Sequence, residues 1–596
     1  MADETLAQMF WSRVEKSGAR PAQEFKREGR WETLTWRQYG EVVRELALGL
    51  LALGRQKGDA VALLAQSRAE WMQADFAILS AGCVTIPVYP SYTPEQIAYI
   101  VNDSEARTLI VENPDQLAKA LSVRGKMDRL EQIVVIEGPA GQDGGVLGWQ
   151  EVRRRGRDAA GGFSGTLEQR IRGTRADDIA SIVYTSGTTG PPKGVVQTHG
   201  NHMATLRSLG QIWPIGEDDK DLLFLPLAHS FAQAEAYFGV FAGNATAFAE
   251  NLDKVAENLR ETRPTFIASV PRVFEKVYAR ILAGVEAGSH GKQKIFHWAL
   301  GVGRQVSQAE QARRPIPFGL KWKHRLAHKL VFSKLHHALG GRLRFANSGG
   351  APLSKEIAEF FHAAGILILE GYGLTETCPA LAVNRADAFK FGSVGKALPG
   401  VELRIAPDGE ILARGPNIAT RGYYKKPDAT AEVFDPDGWF HTGDIGKIDA
   451  DGFLYITDRK KDLIVTAGGV NIAPQNIENL LKTDPFVSQA MVYGDRRPYP
   501  VALITLNPEE LAKFAKEAGV SATDPVGLAK HPKVIERVGR IVEQKNRELQ
   551  SYAQIKKFAV LASDFTQENG DLTPTLKVKR KVVAEKYQEL LESLYR

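Results

Sequence analysis

The sequence predicts an α/β protein: a large N-terminal region of parallel sheet covered by helices, followed by a smaller C-terminal domain. Three observations carry this. Short apolar runs alternate with longer segments of helical period through the first third of the chain, the pattern of βαβ units. The length, 596 residues, gives room for several domains or one large domain and a smaller one. The composition changes at Asp458-Arg459-Lys460-Lys461-Asp462, after which the chain is charged and its elements are short. The boundary is placed there, giving domains 1–460 and 461–596.

Trp36 to Leu53 carries apolar residues at helical spacing, and Asp59 to Leu64 (DAVALL) reads as a short buried strand. Ala69 to Ala81 reads as a helix and Val84 to Val88 as a strand. Thr93 to Asn102 is helical again, and Thr108 to Val111 is a strand. Gly138 to Gly148 and Gly156 to Gly165 are rich in glycine and polar residues and are expected to be surface loops. Lys321 to Leu343 interleaves basic and apolar residues, which suits either a solvated amphipathic helix or one that meets a membrane surface or an acidic partner.

Composition closes off several classes. Hydrophobic residues are 43 % and charged residues 24 %, ordinary for a folded globular chain and too apolar for a disordered one. The net charge of +6 is mild for this length, so no nucleic-acid partner is expected. Cys83 and Cys378 cannot make a disulfide framework, which fits a reducing compartment. No run of about 20 apolar residues is present. The acidic start, Met1-Ala2-Asp3-Glu4, does not read as a signal peptide, so a cytoplasmic location is expected.

The most informative segment is Ile182 to Gly194, IVYTSGTTGPPKG. A short apolar run leads into Thr185, Ser186, Gly187, Thr188, Thr189 and Gly190, and then into Lys193. Hydroxyls and unobstructed backbone N–H groups in one loop can wrap phosphate oxygens, and a lysine adds positive charge. The Walker pattern is absent: Pro192 stands where glycine is needed, and Gly194 follows the lysine where Ser or Thr should bind magnesium.

This segment resembles the phosphate-binding signature of the AMP-forming acyl-adenylating superfamily, and four further segments match in order. Gly349-Gly350-Ala351-Pro352-Leu353 and Glu370-Gly371-Tyr372-Gly373-Leu374-Thr375-Glu376-Thr377 resemble its nucleotide-pocket motifs. Trp439 to Asp444 resembles its ribose motif, and Ile456 to Asp462 its hinge motif. The resemblance runs from about Thr35 to Lys581 and points to the long-chain fatty acid–CoA ligases. It implies a β-rich part near Ser393 to Tyr455 and a C-terminal domain that moves about a hinge at Lys461.

It also implies roles. Thr185 to Gly190 and Lys193 would hold the ATP phosphates, and Gly349, Gly350, Ala351, Glu370, Gly371, Tyr372 and Gly373 would belong to the nucleotide pocket. Glycine admits a flat base close to the backbone, and Tyr372, flanked by glycines that argue for a loop, can stack on it. Thr375 offers a hydroxyl to the α-phosphate, and Glu376, with Thr185, suits Mg2+. Asp444 can accept from both ribose hydroxyls, and Arg459 can add charge beside them. His229 would lie beside the acyl group, or be a core histidine. The following stretch of Ala, Gly and Phe suits either an acyl tunnel or dense helix packing.

Leu572 to Lys581 resembles the family's last motif, with Leu576 in place of the usual glycine. Lys577 aligns with the catalytic lysine, with Lys579, Arg580 and Lys581 as rivals for the register. Gly468 and Gly469 would line the coenzyme A channel. The implied reaction takes a fatty acid, ATP and coenzyme A to acyl-CoA through acyl-AMP. The other readings are an acyl-AMP ligase serving a carrier protein and a nucleotide-binding regulator without turnover. Peripheral membrane attachment and a homodimer are both compatible with the family.

Overall fold

The computed structural model describes residues 3–138, 145–185, 191–466, 471–520, 524–573 and 577–596. Two large sheets share a layer of helices. The first has seven strands in the order Val146–Gly148, Gln132–Val135, Thr108–Val111, Ala60–Leu64, Val84–Val88, Ile179–Thr185 and Lys193–Thr198, parallel except for the last pair. Strand Ala60–Leu64 is buried on both faces. Val61 and Leu63 join the core shared with the second sheet, while Ala60, Ala62 and Leu64 pack on the other side. A central parallel strand meets no water, so its sequence has no polar alternation.

The second sheet has nine strands. Its parallel centre runs through Leu367–Tyr372, Phe345–Ser348, Phe266–Ser269, Lys220–Leu223, Ala245–Phe248 and Pro21–Arg27, with antiparallel strands at both edges. Between the sheets lie helices Trp36–Ala52, Ala69–Ser80, His199–Ile212 and Ser230–Ala242, which contribute Tyr39, Phe76, Leu206 and Tyr237 to the shared core. Thr35 and Thr93 start their helices through capping boxes with Gln38 and Gln96. Thr93 is therefore the cap, and its helix runs Pro94–Asp103.

The structure overturns one expected loop. Gly156 to Gly165 lies within helices Trp149–Asp158 and Ala160–Gly173. A Cβ on Gly156 would stand 1.8 Å from the Glu45 carbonyl oxygen, and one on Gly49 would stand 2.5 Å from that of Val152. These glycines let two helices touch through their backbones. The expected loop at Gly138 to Gly148 falls partly outside the described residues, and its end is the strand Val146–Gly148.

The β-rich part is a four-stranded antiparallel sheet of Glu402–Ile405, Glu410–Arg414, Phe440–Ile448 and Leu454–Arg459. A small α+β unit follows. Its three-stranded sheet, Val487–Tyr493, Val501–Leu506 and Lys557–Val560, packs helices Pro474–Leu481 and Pro532–Asn546 around its own core of Ile477, Leu481, Ile504 and Val538. Polar contacts join it to the larger part. Arg272 donates to the Ser488 carbonyl at 2.7 Å and hydroxyl at 2.8 Å, and Lys482 pairs with Glu275 at 3.0 Å. Among the described residues no helix is long and apolar enough to cross a membrane.

Candidate active site

Asp444 and Arg459 face each other across adjacent strands of the four-stranded sheet. Asp444 is 4 % exposed. Its Oδ2 accepts a 2.6 Å bond from the Tyr372 hydroxyl, and Arg459 Nε stands 3.2 Å from its Oδ1. Burial and the Asp444 charge hold the Tyr372 phenol well above its usual range. Tyr372 does not sit in the expected loop. Gly371 and Tyr372 end the strand Leu367–Tyr372, paired with Ala382–Val383. The next residue, Gly373, is glycine because a Cβ there would stand 1.7 Å from the Pro379 carbonyl oxygen.

Strands Ile179–Thr185 and Lys193–Thr198 pair antiparallel. Thr185 and Lys193 are register partners at the end of this pair, and the Thr185 hydroxyl donates to the Lys193 carbonyl at 3.4 Å. Ser186, Gly187, Thr188, Thr189 and Gly190 lie outside the described residues. Lys193 Nζ stands 5.1 Å from the centre of the Tyr423 ring, and the Tyr423 hydroxyl donates to Glu376 Oε1 at 2.7 Å. Thr375 and Glu376 share one turn. Gln197 donates to the Thr375 carbonyl at 2.7 Å, and Ser230 stands 3.4 Å from its hydroxyl. Lys193, Thr375, Glu376 and Asp444 thus belong to connected walls of one cleft.

No group of three His, Cys, Asp or Glu side chains able to hold a metal was found among the described residues. Glu376 has one oxygen taken by Tyr423, leaving the other as a single hard ligand. That fits Mg2+, which keeps few protein ligands and takes the remainder from phosphates and water.

Gly349 packs so closely on Phe231 that a Cβ would meet its ring at 3.1 Å. Gly350 has φ +79°, the left-handed region that favours glycine. Ala351 follows in the same bend. Glu370 stands behind this bend: its Oε2 accepts from the Leu353 N–H at 3.1 Å. Burial pushes its carboxyl up to about 7, against the pull of the Leu353 and Gly392 N–H groups. Glu370 thus braces the bend at Gly350 and Ala351 through one carboxylate oxygen.

His229 caps the helix Ser230–Ala242, its Nδ1 accepting from the Phe231 N–H at 3.1 Å. Burial first, and the charge of Lys577 second, push it down to about 4, so the ring is neutral. Lys577 is itself exposed, at the rim of the cleft. Crowding by protein and the Arg459 charge push its ammonium below the usual lysine range, while Asp444 and Asp462 pull upward. The Lys577 carbonyl accepts from the Thr573 N–H at 2.8 Å, and the Lys577 N–H donates to the Thr573 hydroxyl at 3.1 Å.

The rivals are placed differently. Arg580 forks onto Glu478 at 2.7 and 2.5 Å inside the small unit, and Lys581 lies 4.0 Å from Glu585 on an exposed helix face. Lys461 lies in the turn after strand Leu454–Arg459. Gly468 and Gly469 are outside the described residues. Tyr423, which joins Lys193 to Glu376, is a site residue the sequence reading missed. It follows Gly422 in no motif, and only the 47-residue bridge to Glu376 reveals it.

The long-chain-fatty-acid–CoA ligase FadD15 of Mycobacterium bovis is 40 % identical over 575 residues, covering 95 % of this chain and 93 % of its own. ACSBG2 of Xenopus laevis, also named a long-chain-fatty-acid–CoA ligase, is 34 % identical over 99 % of this chain and 84 % of its own. The adenylation domain of a carboxylate reductase from Mycobacterium chelonae shares the fold with a TM-score of 0.75 at 23 % identity, covering 99 % of this chain and 91 % of its own. The C-terminal domain of AMP-binding enzymes matches residues 461–596, and the AMP-binding enzyme family itself matches residues 10–424. A cluster of side chains drawn from three sheets, in a chain so matched, leads to one conclusion: this protein belongs to the AMP-binding enzymes.

Proposed function

We propose that the protein is a long-chain fatty acid–CoA ligase, forming acyl-AMP from a fatty acid and ATP and then acyl-CoA. The observation that carries it is the meeting of Asp444, Arg459, Tyr372, Glu376 and Lys193 in one cleft with Lys577 at its rim. Relatives named long-chain-fatty-acid–CoA ligases, 33–40 % identical over most of the chain, support the substrate class. They do not favour transfer to a carrier protein.

In the first half, a carboxylate oxygen attacks the α-phosphorus and pyrophosphate leaves with the electrons of the broken P–O bond. No protein nucleophile is required, because the site works by positioning and by charge. Mg2+, held through Glu376 and near Thr185, supplies charge neutralisation at the phosphates when bound. Thr185 to Gly190 and Lys193 grip the phosphates, Thr375 orients the α-phosphate, Asp444 and Arg459 fix the ribose, and Tyr372 flanks the adenine. Lys577 places positive charge where negative charge builds. In the second half, the thiolate of coenzyme A attacks the acyl carbonyl and AMP leaves.

The domain boundary lies at 460/461. Rotation about Lys461 withdraws Lys577 and brings Gly468 and Gly469 to the pantetheine path. The proposed location is the cytoplasm. The test is coenzyme A-dependent release of AMP and pyrophosphate from ATP plus palmitate. Pyrophosphate release with acyl transfer only to a carrier protein would overturn the reading.

A further inference from the structure

The segment Lys321 to Leu343 resolves into helix Phe318–Ala327, a π turn His328–Phe332 and helix Ser333–Ala338. A solvated amphipathic helix would turn its large apolar side chains inward. This one does not. Phe318 is 87 % exposed and Trp322, four residues on and on the same face, is 62 % exposed. The π turn leaves Leu330 47 % exposed. Scattered single apolar residues are ordinary on a surface, but two large aromatics one turn apart with a leucine beyond them are not.

The charge around these tips is as uneven. Residues 287–344 hold twelve Lys and Arg and one acidic residue, Glu310, so the remainder of the chain is net negative. Glu310 faces His362 at 3.4 Å, away from the tips. Lys321, Lys323, Arg325 and Lys329 are all exposed beside Phe318, Trp322 and Leu330. Aromatic and aliphatic tips set among lysines and arginines suit the headgroup boundary of an anionic bilayer, where the rings enter and the cations stay with the phosphates. A second copy would bring the same positive charge against itself.

We propose that the face formed by Phe318, Trp322 and Leu330, flanked by Lys321, Lys323, Arg325 and Lys329, docks the enzyme onto a bilayer containing anionic phospholipid. It rests on the ligase reading in one respect: a long-chain acid partitions into bilayers, so docking brings the enzyme to its substrate. Each basic side chain near an anionic surface multiplies affinity by roughly fivefold, and salt screens that gain.

The test is co-sedimentation of the full chain with phosphatidylcholine vesicles, with and without phosphatidylglycerol, beside turnover of a water-soluble short-chain acid. The expected result is binding only to phosphatidylglycerol vesicles, weakened by salt. Phe318→Ser/Trp322→Ser and Lys321→Ser/Lys323→Ser should each lose roughly tenfold or more in partition. Melting temperature and turnover of the soluble acid should stay unchanged. Absent vesicle binding, equal binding to both vesicles, or wild-type binding by both variants overturns the proposal. So does a wild-type dimer that Phe318→Ser/Trp322→Ser dissociates, which would assign the face to a second copy. Absence of coenzyme A-dependent turnover of palmitate by the wild type would instead count against the ligase reading, leaving the vesicle result to judge the surface.

Discussion

The hydroxyl of Tyr372 donates to the carboxylate of Asp444 at 2.6 Å, tying the end of a strand in one sheet to a strand of another. In the proposed function, the aromatic face beside the adenine and the acceptor for the ribose are thus one unit. Tyr372→Phe keeps the ring and loses its anchor. ATP KM should rise about tenfold, the scale of one hydrogen bond to a charged group, with the rate at saturating ATP little changed. Asp444→Ala also strips Arg459 of its partner, and its KM should rise further. Steady-state kinetics in ATP checks both.

Lys577 and Arg580 stand three residues apart and carry the same charge, yet opposite phenotypes are expected. Lys577→Ala should cut acyl-AMP formation by roughly two to three powers of ten. It should leave stability alone, and spare the reaction of pre-formed acyl-AMP with coenzyme A. Arg580→Ala leaves Glu478, 5 % exposed, without its forked partner, which should destabilise the small domain by about 3–5 kcal/mol. Lys579→Ala and Lys581→Ala should do little. Pyrophosphate release and thermal melts separate the cases.

Glu370 predicts a pH dependence of stability. The folded carboxyl holds its proton up to about 7, while the unfolded one releases it near 4.5. The folded state therefore binds the extra proton between those values. Stability from this group is complete below the window and is lost as pH rises through it, with a slope of up to about 1.4 kcal/mol per pH unit. Glu370→Gln should remove that slope. Subtracting its denaturant-unfolding curve from the wild type across pH 4.5 to 8 isolates the effect.

Two glycines of neighbouring helices should respond with opposite signs. Gly156→Ala drives a Cβ into the Glu45 carbonyl at 1.8 Å and should cost about 3 kcal/mol or more by forcing the helices apart. Gly165 lies inside a helix with open space around it, so Gly165→Ala should gain about 0.5–1 kcal/mol. Chemical denaturation measures both.

Chelation of divalent cation should stop pyrophosphate release. Glu376→Gln should raise the Mg2+ concentration for half-maximal rate about tenfold, because it replaces a charged hard ligand with a neutral one. A magnesium titration of the adenylation rate decides it.

The strands Ala60–Leu64, Val84–Val88 and Thr108–Val111 were legible because each is a short, uncharged and mainly apolar run. Gly156 was not, because composition alone cannot tell a glycine that turns a chain from one that lets two backbones meet. Pro21–Arg27 joins the second sheet beside Ala245–Phe248, a pairing across more than 200 residues with no local signature. At the site, the motifs were visible as spacing, but the distinction among Lys577, Lys579 and Lys581 was not. It depends on which ammonium the folded chain sets near Asp444 and Arg459.

The helix cap at His229 decides which way that ring can serve chemistry. An Nδ1 that accepts from the Phe231 N–H carries no proton, so the neutral ring holds its hydrogen on Nε2. Nε2 can then only give a hydrogen bond, to an oxygen of a carboxylate, a phosphate or an acyl carbonyl. Taking a proton at Nδ1 would break the cap and charge a buried ring. His229 can therefore give a hydrogen bond through Nε2, but it cannot take a proton at Nδ1 without losing its helix cap.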